Sequence, residues 1–216
     1  MPNPKIIATN KSGAVYEPVE AGNYVARCVK MIHMGTITED YQGTPKTANK
    51  VQLTWELPTE VKVFKEADGE QPYVLSKEFT LSMHEKASLR KWLEAWRGKG
   101  FTNAESEAFD ITNLVGKPCM LNVIHTTKGD RTYANISGVS SMPKGLTCPP
   151  QVNDSIIFSV NEFDQILFDS FPDFIKEKIR SSAEYKAMQQ PNHVNTTPEP
   201  AFTQDDNETP DDGLPF

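Results

Sequence analysis

The chain has 216 residues and a formal net charge of −7, but this charge is unevenly distributed. Residues 191–216 hold six of the 29 acidic side chains and no Lys or Arg, so residues 1–190 carry 22 basic against 23 acidic side chains, a net charge of −1. The acidic total therefore does not exclude a polyanionic partner, although any basic surface has to be local.

Cysteine content and hydropathy argue against several further classes of protein. The three cysteines (Cys28, Cys119 and Cys148) are odd in number and far apart, which argues against a disulfide framework or a metal site and favours a reduced, cytoplasmic setting. No apolar run approaches the roughly 20 residues that a membrane helix needs, and the N-terminus lacks a signal-peptide pattern. We expect no membrane partner and no cofactor, and we interpret residues 1–20 as an N-terminal arm.

Strand patterns dominate the next part of the chain. Residues 24–32 are typical of a long strand, residues 35–49 of a flexible polar loop, and residues 50–57 of a strand that ends at Pro58. Residues 50–57 show the period of two that marks a strand with one buried face, and that face carries Val51, Leu53, Trp55 and Leu57. Residues 61–65 and 73–81 flank Ala67, Asp68 and Gly69, which predicts a hairpin.

A helix and a second hairpin follow. Ser82 and Glu85 have the spacing of a capping box, Leu89, Trp92, Leu93 and Trp96 have helical spacing, and Gly98 supplies a stop. Residues 119–125 and 132–139 then read as two strands joined by a turn at Gly129 and Asp130.

The order of three strands, one helix and two strands predicts a mainly β fold. It is the order of the five-stranded OB barrel, with one helix inserted between strands 3 and 4; another small α+β sheet has the same element count. We assign residues 21–150 to this domain and residues 151–190 to a short helical C-terminal extension packed on the barrel. Residues 191–216 are Pro-rich and acidic, which predicts a disordered tail.

Aromatic and basic residues within the β region indicate single-stranded nucleic acid as the ligand. Bases stack on flat side chains and cations follow the phosphates, and OB folds use strands 2 and 3 and the loops joining strands 1–2 and 4–5. Trp55 shares the apolar face of its strand and is assigned to the core, whereas Tyr133 alternates with Ala134 and Ile136 and is the strongest stacking candidate. The full set of predicted contact residues is Tyr41, Phe64, Tyr73, Tyr133, Lys30, Lys46, Lys50, Gln52, Lys62, Lys65, Lys77, Lys128, Arg131 and Asn135.

Catalytic signals are weak, and we expect a binding protein, not an enzyme. The four histidines stand apart, and the sequence has no Gly-rich phosphate loop or nucleophile elbow. Acidic pairs such as Glu39 with Asp40, or Glu105 with Glu107, are the residues that a metal-dependent nuclease would use, but they are more typical of solvated surface.

Several segments resemble a family of phage single-stranded DNA-binding proteins that contain one OB fold. They are residues 55–58 (WELP), 79–86 (FTLSMHEK), 110–125 (DITNLVGKPCMLNVIH), 132–137 (TYANIS), 172–179 (PDFIKEKI) and 182–186 (SAEYK). They occur in the order of the family, and the resemblance spans roughly residues 20–188. It implies sequence-independent binding of single-stranded DNA in phage replication or recombination, and it does not assign individual contact residues.

The end of the chain resembles the acidic C-terminal tip of single-stranded DNA-binding proteins of bacteria and their phages. The residues concerned are Asp211, Asp212, Leu214, Pro215 and Phe216. The resemblance implies that this tip docks replication or recombination proteins, and electrostatics predict that the acidic tail competes with DNA for the basic groove. Two other functions stay open from the sequence, an OB-fold protein-interaction module and a metal-dependent nuclease, and RNA is an alternative ligand.

Overall fold

The computed structural model describes residues 17–190. Most of the predicted N-terminal arm (residues 1–16) and the whole predicted disordered tail, including the predicted docking residues Asp211, Asp212, Leu214, Pro215 and Phe216, lie outside these residues.

The described part of the chain is mainly β and contains one sheet of six strands. The strands are β1 (Gly22–Tyr41), β2 (Thr44–Val63), β3 (Glu70–Thr80), β4 (Pro118–Lys128), β5 (Arg131–Ser140) and β6 (Ile156–Ser159). The main path through the sheet runs β3-β2-β1-β4-β5 with antiparallel neighbours, and β6 pairs with β1 in parallel. The mainly β prediction is confirmed.

Alternating side chains explain why these segments form strands around one core. The inward set includes Val51, Leu53, Trp55 and Leu57 of β2, all completely buried, as the period of two predicts. Residues of β1, β4 and β5 complete the cluster from the same face of the sheet, among them Cys28, Leu121 and Ile136. The outward-facing residues of β4 and β5 are thereby turned to solvent.

The sheet does not close into a barrel. No backbone ladder joins β3 to β5 within residues 17–190, although the two edge strands approach each other. One side chain crosses this seam, because Lys77 Nζ of β3 donates to the Ile136 carbonyl of β5 over 2.8 Å. The expectation of a barrel is therefore replaced by an open sheet whose edge strands a lysine joins at one point.

Two helices, not one, separate β3 from β4 in the described chain. They are α1 (Ser88–Arg97) and α2 (Asn103–Glu107), followed by a 3-10 turn (Ile111–Leu114). The predicted apolar stripe of α1 is buried, and Gly98 ends the helix in the left-handed conformation with φ of 69°. The predicted capping box at Ser82 is wrong, since α1 begins later, after Ala87, and a capping box is formed at α2 instead.

The predicted loop over residues 35–49 is a β-hairpin. Ladder pairs continue to the tip, where Gln42 and Gly43 form a tight turn with positive φ. Thr-rich sequence suits both a loop and an exposed strand, and the Thr38 hydroxyl lies 2.7 Å from that of Thr47 across this ladder. Pro58 does not end β2 either. The ladder to β3 is irregular between Leu57 and Val61, and the strand accommodates the proline at this irregularity.

The C-terminal part packs on the opposite face of β1. After β6 it forms α3 (Gln165–Ser170), α4 (Asp173–Ser181) and α5 (Ala183–Gln189). A second apolar cluster joins these helices to β1, with Ile32, Met34 and Ile37 on the strand and Phe168, Ile175 and Ile179 on the helices. None of the helices within residues 17–190 has the length and apolar character needed to cross a membrane.

Candidate nucleic-acid interface

The outward face of the β4–β5 hairpin carries an exposed aromatic ring on a row of exposed side chains. Val123 and Ile136 point into the core, so their neighbours along each strand point to solvent. Tyr133 is 45% exposed and Ile124 is 43% exposed. We call this surface the hairpin face, formed by Ile124, Thr126, Lys128, Arg131, Tyr133 and Asn135.

The ladder fixes the arrangement of the hairpin face. Ile124 lies opposite Asn135, Thr126 opposite Tyr133, and Lys128 opposite Arg131. The Asn135 amide Nδ2 donates to the Thr126 hydroxyl and, over 3.4 Å, to the Tyr133 carbonyl. A polar side chain is thereby held beside the tyrosine on this two-stranded surface.

Two cations lie at the tip of the hairpin face. Lys128 and Arg131 flank the turn, in which Gly129 adopts a φ of 59° that disfavours other residues. Both side chains are exposed, and neither takes part in an ion pair with any residue from 17 to 190. The structure thus brings together four predicted contact residues (Lys128, Arg131, Tyr133 and Asn135).

A second group of predicted contacts lies on the outer face of β1 and β2, where acids compensate the charge. Lys50 Nζ lies 2.9 Å from Glu39 and 3.1 Å from Glu78, and Lys178 of α4 pairs with the same two acids. Burial works to lower the pKa of Lys50, but its hydrogen bonds to Glu39 and Glu78 outweigh that effect and raise it. Lys178 fixes α4 to the sheet through these two acids, and Lys50 offers little free charge.

Lys30 and Gln52 are half-buried on the same face. Lys30 lies between Thr54 of β2 and Ile156 of β6 in the ladders, and burial lowers its pKa. The C-terminal part of the chain therefore covers much of the surface around the predicted contact residues Lys30, Lys50 and Gln52.

The β2–β3 hairpin holds a third group of predicted contact residues. Phe64 is 38% exposed and packs edge-on against Tyr73 at 5.1 Å between ring centroids. Tyr73 is buried, and its hydroxyl donates to the Glu17 carbonyl over 3.3 Å. Lys62 pairs with the Glu17 carboxylate at 2.8 Å, and the exposed Lys65 lies 3.9 Å from Asp68.

Tyr73 and Lys77, two of the predicted contact residues, are turned inward. Both alternate with outward residues of β3, so the strand's parity places them on the core side. The Lys77 ammonium lies 4.9 Å from the ring centroid of Trp92, and burial lowers its pKa. It bridges the β3–β5 seam through its hydrogen bond to the Ile136 carbonyl.

The tip of the β1–β2 hairpin holds the last two predicted residues. Lys46 is exposed and lies opposite Glu39 in the ladder. Tyr41 ends β1 opposite Thr44. This tip is separate from the hairpin face, which lies on β4 and β5 and ends at the turn between them.

Sequence reasoning missed Ile124 and the residues of β3 that face the seam. The signal for Ile124 was present, because Cys119, Leu121 and Val123 set a parity that turns it outward. Val74, 46% exposed, and Ser76 line a pocket together with Tyr133. Only the approach of β3 to β5, which the sequence does not reveal, brings them next to the tyrosine.

No protein-family model and no curated protein matches the sequence.

Thiols and potential metal ligands do not form a further site in the described chain. Burial raises the pKa of Cys28 to about 12 and also raises that of Cys119. Residues 17–190 contain no group of three or more His, Cys, Asp or Glu side chains placed to hold a metal ion.

Proposed function

We propose that this protein binds single-stranded DNA through the hairpin face, with little dependence on sequence. The observation that carries the proposal is the exposed Tyr133 ring on a two-stranded surface, with two cations at its tip that form no ion pair with any residue from 17 to 190. A base stacks on the ring, and Lys128 and Arg131 contact the phosphates that follow it. Ile124 extends the apolar surface beside the ring, and Asn135 supplies an amide for the edges of bases.

The strand arrangement supports an OB-like fold. Five strands arranged β3-β2-β1-β4-β5, with helices between β3 and β4, follow the connectivity of the OB barrel, which is itself partly open. In that fold the loop joining strands 4 and 5 belongs to the oligonucleotide site. We propose a role in phage DNA replication or recombination on the sequence resemblance alone.

A fluorescence-anisotropy titration tests the proposal. We expect micromolar or tighter binding of oligo-dT and much weaker binding of a duplex, because only unpaired bases can stack on the ring. Equal affinity for the two contradicts the proposal. No binding of oligo-dT also contradicts it and favours a protein-interaction module.

The salt dependence of the same titration tests the two cations. Each phosphate contact contributes about 0.7 to the slope of log affinity against log salt concentration for a single strand. Replacing Lys128 and Arg131 with Gln should therefore reduce the slope by about 1.4. The matched control, Lys86→Gln with Lys91→Gln, removes the same charge from exposed positions near α1 and should leave the slope unchanged.

We further propose that the acidic residues 191–216 compete with DNA for the hairpin face and dock a replication or recombination protein. Six acids without a base are drawn to the exposed Lys128 and Arg131. Deleting residues 191–216 should tighten oligo-dT binding at low salt, and neutralising the six acids should have the same effect. Unchanged or weaker binding after the deletion contradicts the competition.

A further inference from the structure

A pocket of about 150 Å³ opens in the seam between β3 and β5, directly beside the hairpin face. Its apolar walls include Pro18 and Val19 of the segment that precedes β1, Val74 and Leu75 of β3, and Ala134 of β5. Ser76 and Thr132 add hydroxyl groups, and the ring of Tyr133 forms part of the lining. The proposed stacking residue therefore belongs both to the hairpin face and to this pocket.

The seam gives the pocket polar groups that an ordinary apolar groove lacks. No backbone hydrogen bond crosses from β3 to β5 in the described chain. Half of the peptide groups of an edge strand point away from its ladder partner, so both edges present N–H and C=O groups toward the gap. Apolar walls with hydrogen-bonding groups at the edge suit a flat ring with a polar rim.

The size of the pocket limits its occupant to one ring. A protein cavity of about 150 Å³ is known to hold benzene, a single six-membered ring. A pyrimidine base has one such ring, whereas a purine has two fused rings and would project beyond the walls. Phosphate-binding charge is close by, because Arg131 directly precedes Thr132 on β5.

We propose that this seam pocket receives one pyrimidine base of the bound strand, and so gives an otherwise sequence-tolerant surface a preference for thymine or cytosine. This inference rests on the proposed binding of single-stranded DNA. The base adjacent to the one stacked on Tyr133 enters the gap, where its edge meets peptide groups of the two edge strands that point away from their ladder partners.

The test compares oligo-dT, oligo-dC and oligo-dA of equal length by fluorescence anisotropy. We expect the protein to bind both pyrimidine oligomers at least about fivefold more tightly than oligo-dA, since one additional base is accommodated. Adenines also stack on one another in the free strand, which by itself weakens binding of oligo-dA. The decisive quantity is therefore the ratio of oligo-dT affinity to oligo-dA affinity, and how this dT-to-dA ratio changes when the pocket is filled.

Thr132→Leu fills the pocket from an exposed position, and Thr127→Leu is its matched control. Thr127 is the ladder partner of Thr132 and is exposed, but it does not line the pocket. Thr132→Leu should bring the dT-to-dA ratio close to that of an unselective surface, while Thr127→Leu should retain the original ratio. Val74→Phe, also at an exposed lining position, should repeat the result if Thr132→Leu fails to fold.

Each outcome has a separate meaning. A ratio that is equal in the wild type and in the folded filling variants overturns the pocket proposal but leaves DNA binding intact. A wild type that prefers oligo-dA also overturns it. Failure of all three oligomers to bind the wild type overturns the proposed function itself, and the pocket proposal with it.

Discussion

At the residue scale, two large aromatic side chains occupy opposite faces of the sheet. Trp55 is completely buried and packs against Trp92 and Trp96, with ring centroids 6.2 and 5.9 Å away. Tyr133 is 45% exposed. Strand parity predicted both positions from the sequence, because each residue alternates with neighbours of clear polarity. Parity also applied to Tyr73 and Lys77, but the sequence prediction weighed their aromatic and basic character instead.

Replacing Tyr133 with Ala should weaken oligo-dT binding by about 5- to 150-fold, the loss of one base-stacking interaction of roughly 1–3 kcal/mol. Tyr133→Phe keeps the ring and should bind nearly as well as the wild type. Anisotropy titrations of the three proteins provide the measurement. Equal affinity of wild type and Tyr133→Ala would show that Tyr133 does not contribute to DNA binding.

Trp55→Ala should destabilise the fold by about 3–5 kcal/mol, as expected for a large aromatic removed from a core. Trp55→Phe should cost less, because the Trp55 indole N–H is buried without a hydrogen-bond partner in the described structure and its loss removes that penalty. Urea unfolding measures both changes. Trp55→Phe should leave oligo-dT affinity unchanged, and a marked loss would show that this ring contacts DNA.

At the element scale, strands with one buried face were predictable and exposed ribbons were not. The core strand of residues 50–57 shows a period of two because one face is apolar. The hairpin tip between Thr36 and Asn49 is mostly exposed on both faces, so its sequence lacks this signal and resembles a loop. The same reasoning explains the candidate site: the β4–β5 hairpin was predicted, whereas its contact with β3 depends on tertiary structure.

The capping box of α2 predicts an acid-sensitive contribution to stability. The Thr102 backbone N–H, with help from the Arg97 guanidinium, lowers the pKa of Glu105 from an ordinary value of 4.5 to about 2. A depressed carboxyl pKa stabilises the fold above pH 4.5, and this contribution is lost as the pH falls toward 2.

Glu105→Gln should therefore lower the melting temperature at pH 7, and the difference from wild type should shrink as the pH falls below 4.5. Thermal unfolding between pH 7 and pH 3 measures the effect. Glu107→Gln, an exposed change on the same helix, is the control and should have little effect at any pH. A difference for Glu105→Gln that persists at low pH would contradict the capping account.

At the scale of the whole molecule, β1 joins two apolar clusters. Met31 belongs to the sheet core, and Ile32, the next residue, belongs to the cluster under the C-terminal helices. A buried carboxylate makes a second connection, because Glu56 of β2 accepts hydrogen bonds from the backbone N–H groups of Val152 and Asn153 and from the Asn153 amide. The residue pattern alone did not reveal this contact.

Glu56→Gln should destabilise the protein by about 1–3 kcal/mol, because a Gln side chain presents its own N–H donors to the donors that the carboxylate now satisfies. Thermal unfolding should nevertheless remain a single transition, since β1 is shared by both clusters. Calorimetry provides the measurement. Two separate transitions would show that the C-terminal helices unfold independently of the sheet.

The central claim is that single-stranded DNA lies on the outward face of the β4–β5 hairpin, and photo-crosslinking tests it most directly. An oligo-dT carrying 5-iododeoxyuridine is bound to the full chain, irradiated, and the crosslinked tryptic peptides are identified by mass spectrometry. We expect the main crosslink at Tyr133, in the peptide that spans residues 132–144. Crosslinks confined to peptides outside β4 and β5 would contradict the claim.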